Sequence, residues 1–188
     1  MTSLVEKIEK VAVRIYSDDW SHGWAHADEV RRYALKLQET YGGDREFVEI
    51  VALLHDCDQS DRSKHAENSA VQAKKLLNEF GYAKTDRAVE LIENHMKPWQ
   101  GKCAAKTIEE KLLFDADKLC VISAKGVLRL AEIAIGKGKL DIEKLISIYQ
   151  VGEDTYLPDS KELCLGEEYL ATKKFIEFLA RDFGCKLK

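Results

Sequence analysis

The sequence predicts an all-α fold, and three observations carry that prediction. Apolar residues recur at spacings of three and four along almost every segment. No alternating run of apolar and polar residues is long enough to read as a strand. Only two prolines, Pro98 and Pro158, interrupt the 188 residues, so little in the chain breaks a helix interior. The length suits one domain with its own core, and residues 1–188 read as a single domain built as a bundle of about seven or eight helices.

Ser3 and Glu6 have the spacing of a capping box and open a first helix, with Leu4, Ile8, Val11, Ala12 and Ile15 at helical intervals. A second helix is expected from about Ala25 to Thr40, stopped by Tyr41-Gly42-Gly43. Asp44 is placed to cap a third, which ends in the apolar run IVALLHD. The polar stretch DQSDRSK that follows reads as irregular. A fourth helix should run from about Lys64 to Phe80 and stop at Gly81. A fifth should start at a Thr85 cap, carry Ala88, Leu91, Ile92 and His95, and close at Pro98. Thr107 and Glu110 form a second capping box before KLLFDADKLCVISAKGVLRLAEIAIG, read as one long helix with a weak point at Gly126. The last helix shows Phe175, Phe178, Leu179 and Phe183, a stripe expected to pack across the bundle. Gly136-Lys137-Gly138 and the region from Val151 to Ser160 read as surface loops.

Composition narrows the function. The net charge is −4, so the chain lacks the bulk positive charge of a nucleic-acid grip, and no polymeric nucleic acid is expected as partner. The opening MTSLVEKIEKVAVRIY has no basic region followed by an apolar core, and no stretch approaches about 18 apolar residues. Neither a secretory leader nor a membrane span is therefore expected. Cys57, Cys103, Cys120, Cys164 and Cys185 are odd in number and contain no CxxC pair, which fits reduced thiols in a cytoplasm. Cys57 reads as a small packing residue rather than a reactive thiol. The oligomeric state expected is monomer or homodimer.

In a helical bundle the informative residues are polar groups that the helical period turns inward. His26 precedes Val30, Tyr33 and Leu37 and so starts an apolar stripe, while His55 and Asp56 end an almost wholly apolar helix. Asp117 has Leu113 four residues before it and Cys120 and Val121 after it. Asp115 lies about 200° round the same helix at roughly 100° per residue, near Lys111 and Lys118, so Asp117 reads as the inward carboxylate. Singly, each has a plain explanation: an inward histidine is more often a hydrogen-bonded core residue, and an inward aspartate often caps a neighbouring helix. Together they are costly, because an uncompensated buried carboxylate costs several kcal/mol. A divalent cation resolves that cost. Two imidazoles with two carboxylates form a mixed ligand set suited to Mn, Fe, Co, Ni or Zn, with Mg less favoured.

The order His26 … His55-Asp56 … Asp117 resembles the HD superfamily of metal-dependent phosphohydrolases. SHGWAHADEV is similar to that family's first histidine helix, VALLHDCD to its HD helix, HAENSA and LIENH to its middle helices, and FDADKL to the helix of its last aspartate. The resemblance covers nearly the whole chain, above all that of small single-domain members. It implies that His26, His55, Asp56 and Asp117 are the metal ligands. Two positions depart from the common pattern: Asp58 stands where a glycine often follows the HD pair, and Glu29 where an arginine often follows the first histidine.

Such a centre needs a water-orienting group or base, for which Asp58 and Asp61 are candidates beside Asp56. It also needs cationic contacts to phosphate, for which Arg62, Lys64 and Lys118 are candidates. Each of these has the alternative of a solvated loop or helix charge. His65 and His95 are expected to line the pocket and contact phosphate, although some relatives use two added histidines to hold a second metal. His22 reads as a pocket-edge residue, and Trp24 and Trp99 either stack on a base or pack. The function expected is hydrolysis of a phosphomonoester or pyrophosphate bond in a small phosphorylated metabolite, a nucleotide in particular. The alternatives are a di-iron oxygenase of the same fold and a regulatory module that binds nucleotide without turnover.

Overall fold

A computed structural model describes residues 2–16, 22–135 and 141–187. Among the described residues there are eleven helices and no strand. They are α1 (Leu4–Ile15), α2 (Trp24–Tyr41), α3 (Arg45–Leu54), α4 (His65–Glu79), α5 (Thr85–Asn94), α6 (Met96–Trp99), α7 (Ile108–Ile122), α8 (Ala124–Ile135), α9 (Ile142–Gly152), α10 (Ser160–Cys164) and α11 (Glu167–Asp182). The chain divides into two compact units, Met1–Phe114 and Asp115–Lys188, and the division falls inside α7. No described helix is long and apolar enough to cross a membrane.

The first unit is built around α3. Phe47, Val48 and the five residues from Ile50 to Leu54 are buried, as expected for a helix apolar on nearly every side. It packs against α1, α2, α4 and α5. Each fully buried side chain of this kind contributes about 1.5–3 kcal/mol relative to exposure. Local chemistry fixes the ends. The Ser3 hydroxyl accepts from Glu6 N at 3.1 Å, and the Glu6 carboxylate accepts from Ser3 N at 2.9 Å. Asp44 accepts from Phe47 N at 3.2 Å at the start of α3, and its own amide donates to Glu109 at 3.3 Å. Gly42, at φ 78°, ends α2 in the left-handed region that glycine adopts without strain.

In the second unit α9 packs on α8 and α11, and α8 also packs on α11. The wholly buried Tyr149 meets Thr172, hydroxyl to hydroxyl at 3.2 Å.

The structure corrects several expectations. Thr85 does not cap α5 with its side chain; its hydroxyl donates to Tyr82 O at 2.7 Å, and Lys84 takes the capping position. Helix α5 stops at Asn94, and Pro98 lies in the single turn α6, where its missing N–H costs nothing. The long helix breaks at Ser123 rather than Gly126. The Ser123 hydroxyl donates to Cys120 O at 3.0 Å and accepts from Gly126 N at 2.9 Å, replacing helix bonds with local ones. Gly126 is a point of close approach, since a Cβ there would lie 2.0 Å from the Cys120 carbonyl oxygen. This break and the single turns α6 and α10 raise the helix number above seven or eight.

The buried faces of two helices differ in part from those expected. Helix α11 buries Tyr169, Thr172, Ile176 and Ala180, whereas Phe175, Phe178 and Phe183 are 50%, 48% and 61% exposed. Helix α7 buries Asp115 completely and leaves Asp117 half-buried, so it does not divide into one apolar and one charged face. Asp115 accepts from Tyr156 N at 2.8 Å and Leu157 N at 2.7 Å. Leu157 and Ser160 are buried, so the region from Val151 to Ser160 is not simply a surface loop. Gly136-Lys137-Gly138 falls outside the described residues.

Gly126→Ala should lower stability by about 3 kcal/mol, the upper end for overpacking, because backbone cannot yield as a side chain does; a denaturant midpoint equal to wild type would refute the close approach. Burial pushes the Asp115 carboxyl up to about 6, against the opposing pull of the two amides, from an ordinary 3.8. The native state therefore binds this proton more tightly than the unfolded chain. The stability margin of wild type over Asp115→Asn should shrink as pH rises from about 4 to about 6 and stay level above, as thermal melts at stepped pH would record.

Candidate metal centre

The centre lies in the first unit, where four helix ends meet. His26 is in the first turn of α2, His55 closes α3, His65 opens α4 and His95 closes α5. Asp56 follows directly past the C-terminus of α3, a position where the helix dipole disfavours a carboxylate. Four imidazoles surround it. His26 and His55 each place Nε2 3.9 Å from Asp56 Oδ2, while His65 and His95 place Nε2 3.7 and 3.5 Å from Oδ1. Their rings form a continuous belt: His26 and His55 centroids are 5.4 Å apart, His55 and His95 5.4 Å, and His65 and His95 5.5 Å.

Burial alone would push the Asp56 carboxyl up. The imidazoles of His55, His95 and His26 outweigh it and hold the group well below the usual carboxylate range, as an anion. The tautomers are fixed by backbone. His55, His65 and His95 each donate Nδ1–H to the carbonyl three residues earlier, of Ala52 at 2.8 Å, Arg62 at 2.8 Å and Ile92 at 2.6 Å. A carbonyl only accepts, so Nδ1 carries a proton and Nε2 is the ring atom turned toward Asp56. Charging every ring of so close a belt would set like charges against one another.

A divalent cation satisfies this arrangement. Two donors each about 2.1 Å from one ion stand roughly 3.0–3.6 Å apart at angles of 90–120°. The Asp56–His95 and Asp56–His65 separations are close to that range, and the donors of Asp56, His65 and His95 all lie within 4.8 Å of one another. The Nδ1–carbonyl bonds are the outer support that metal-binding histidines characteristically have.

The other predicted residues are placed as follows. Asp117 stands half-buried on α7, in the second unit. Lys118 is buried there, its Nζ donating to Val151 O at 2.7 Å. Asp58 donates its amide to Ser69 Oγ at 3.0 Å and accepts from Ser60 N at 3.0 Å. Exposed Asp61 accepts from Ser63 N at 2.9 Å and Ser63 Oγ at 2.6 Å. Those serine bonds hold both carboxyls below their ordinary value. Lys64 is exposed at the start of α4. Arg62 reaches across to His22, Nη2 to Nε2 at 2.9 Å. Arg62, His22, Asp56, Asp58 and Gln59 line a cleft of about 690 Å³, within the size range of small-molecule sites. Glu29 is buried and accepts from the Tyr33 hydroxyl at 3.3 Å. Trp24 packs against Tyr16, and Trp99 against Phe114.

Tyr16 was missed. It is buried, lines the cleft, and its phenol is raised well above its ordinary value by burial and by the neighbouring Cys57 and Asp56. The signal was available, since Ile8, Ala12 and Tyr16 stand four residues apart on the buried face of α1.

A buried carboxylate ringed by histidines at the ends of packed helices makes this an all-α protein with a cluster that could hold a metal ion. The family follows from comparison: residues 23–122, more than half the chain, match the HD domain, and the chain belongs to that family. It is 31% identical to the protein YpgQ of Bacillus subtilis (strain 168) over 138 residues, 71% of this chain and 67% of YpgQ. The structure of YpgQ in complex with ADP superposes with a TM-score of 0.68 at 22% identity, covering 97% of both chains. An HD-superfamily hydrolase from Bacillus thuringiensis gives a TM-score of 0.69 at 24% identity, again covering 97% of both. At these structural identities the agreement is one of fold.

Cys57 is buried, donates to Ser69 O at 3.6 Å, and burial together with Asp56 and Asp58 pushes its thiol up to about 12. In native protein at pH 7.5, set about one unit below an ordinary thiol pKa, a maleimide should label exposed Cys103 and spare Cys57. Peptide mass spectrometry reads this, and equal labelling of both would contradict the enclosed thiol.

Proposed function

We propose that the chain is a metal-dependent phosphohydrolase that cleaves a phosphomonoester or pyrophosphate bond of a small phosphorylated metabolite, a nucleotide. The observation that carries the reading is the set of Nε2 atoms aimed at the buried carboxylate of Asp56, with backbone holding the Nδ1 protons. Family membership supports hydrolysis. The nucleotide rests on the size of the cleft beside Asp56 and on the ADP in the YpgQ complex.

His26, His55 and Asp56 are assigned as metal ligands, joined by Asp117, which stands one turn past buried Leu113 on α7. Residues 1–188 then act as one catalytic domain. When bound, a divalent ion supplies Lewis-acid polarisation of a phosphoryl oxygen and of the attacking water. Mn, Fe, Co, Ni and Zn suit the donors better than Mg. Arg62 offers planar paired donors to the phosphate from the cleft wall, with Lys64 adding charge at its edge. Asp58, kept ionised by Ser60, orients water in the same cleft, whereas Asp61 is spent on its own turn. His65 and His95 contact the phosphate when one ion is bound.

A second reading has its own support. His65 and His95 approach Oδ1 of Asp56, and these three residues would hold a second ion. This is the form a di-iron oxygenase requires.

Chelated protein should be inactive, and Mn, Co, Ni or Zn should restore release of phosphate or pyrophosphate from nucleoside mono-, di- or triphosphates. Asp56→Ala should cost at least about 100-fold, as loss of support in metal sites does. Absence of product from every substrate with every metal would overturn hydrolysis, and nucleotide retained unchanged would point to the regulatory module. Two irons per chain by elemental analysis, with oxygen consumption, would favour the oxygenase.

A further inference from the structure

Among the described residues, helix α11 buries one face and leaves apolar side chains exposed on another. At 100° per residue, the buried Tyr169, Thr172, Ile176 and Ala180 cluster on one side. Glu167, Leu170, Lys174, Phe178 and Arg181 fall within about 80° of arc on the opposite side, flanked by Phe175. Leu170 is 55% exposed, and Phe175 and Phe178 about half. Exposed side chains of this size present on the order of 100 Å² each, a patch of the size that on a monomer is often functional.

We propose that this face pairs antiparallel with the same face of a second copy, giving a homodimer with its two-fold axis through Lys174. The charge pattern selects this partner. An antiparallel pair centred on residue 174 sets 170 against 178 and 167 against 181. Leu170 then meets Phe178 of the second copy, and Glu167 meets Arg181, each pair occurring twice. Arg181 already lies over the Phe178 ring, its guanidinium carbon 5.2 Å from the centroid, so the cation is held beside the apolar contact. The two Lys174 side chains near the axis are each flanked by Glu177 of the opposite copy. No other register centred near the middle of the helix joins both the acidic start to the basic end and leucine to phenylalanine. The pairing does not depend on the reaction assigned to the first unit.

Sedimentation equilibrium on the full chain tests it. Wild type should form a concentration-dependent dimer. Glu167→Arg and Arg181→Glu should each weaken the dimer at least tenfold, and the double exchange should restore most of the loss, because it re-forms the pair with reversed charge. Both residues are exposed, so circular dichroism and melting should match wild type. Phe178→Ser should leave a folded monomer. A wild-type monomer throughout the micromolar range, a dimer untouched by Phe178→Ser, or a double exchange no better than the singles would each overturn the pairing.

Discussion

The first unit is organised by the problem of keeping one carboxylate anionic where neither water nor backbone favours it. Asp56 is buried and sits past the negative end of α3, so both burial and the helix dipole oppose its charge. Its two oxygens are divided between two pairs of imidazoles drawn from four helices. Packing those helices around α3 is thus also the step that builds the electrostatic environment of Asp56. The apolar run ahead of the His-Asp pair supplies the driving force, and the pair collects the result.

The separation of backbone and side-chain duties is equally consistent. Each of three histidines gives its Nδ1 proton to the carbonyl three residues earlier, at a helix end or in the loop before α4. Ring orientation therefore costs no additional partner. The loop beyond Asp56 works in the same economical way: Asp58 and Asp61 hold tight turns, each accepting from the backbone amide two residues on, at Ser60 and Ser63.

The helical period made the fold class and most helix starts legible, because Ser3, Asp44 and Thr107 cap by local chemistry alone. It also placed His26, His55 and Asp56 inward. What the period did not reveal depended on contacts distant in sequence. The burial of Asp115 depends on amides at Tyr156 and Leu157, and that of Lys118 involves the carbonyl of Val151. The helix break depends on a Ser123 hydroxyl that spacing cannot distinguish from a surface one. His65 had a mixed face in sequence, since the first residue of a helix has no preceding turn to define one. On α11 two apolar faces compete, and apolarity alone did not say which one the chain would cover.

The convergence of four helix ends has a consequence for the protein's lifetime. An ion held at Asp56 would bind the native arrangement and have no comparable site in the unfolded chain, so folding and loading would share one equilibrium. Stabilisation would then grow as the logarithm of free metal above the dissociation constant, about 1.4 kcal/mol for each tenfold. Turnover by proteases, which act on opened chains, would follow the metal supply of the cell. The histidine belt would thereby make abundance, as well as activity, a readout of metal availability.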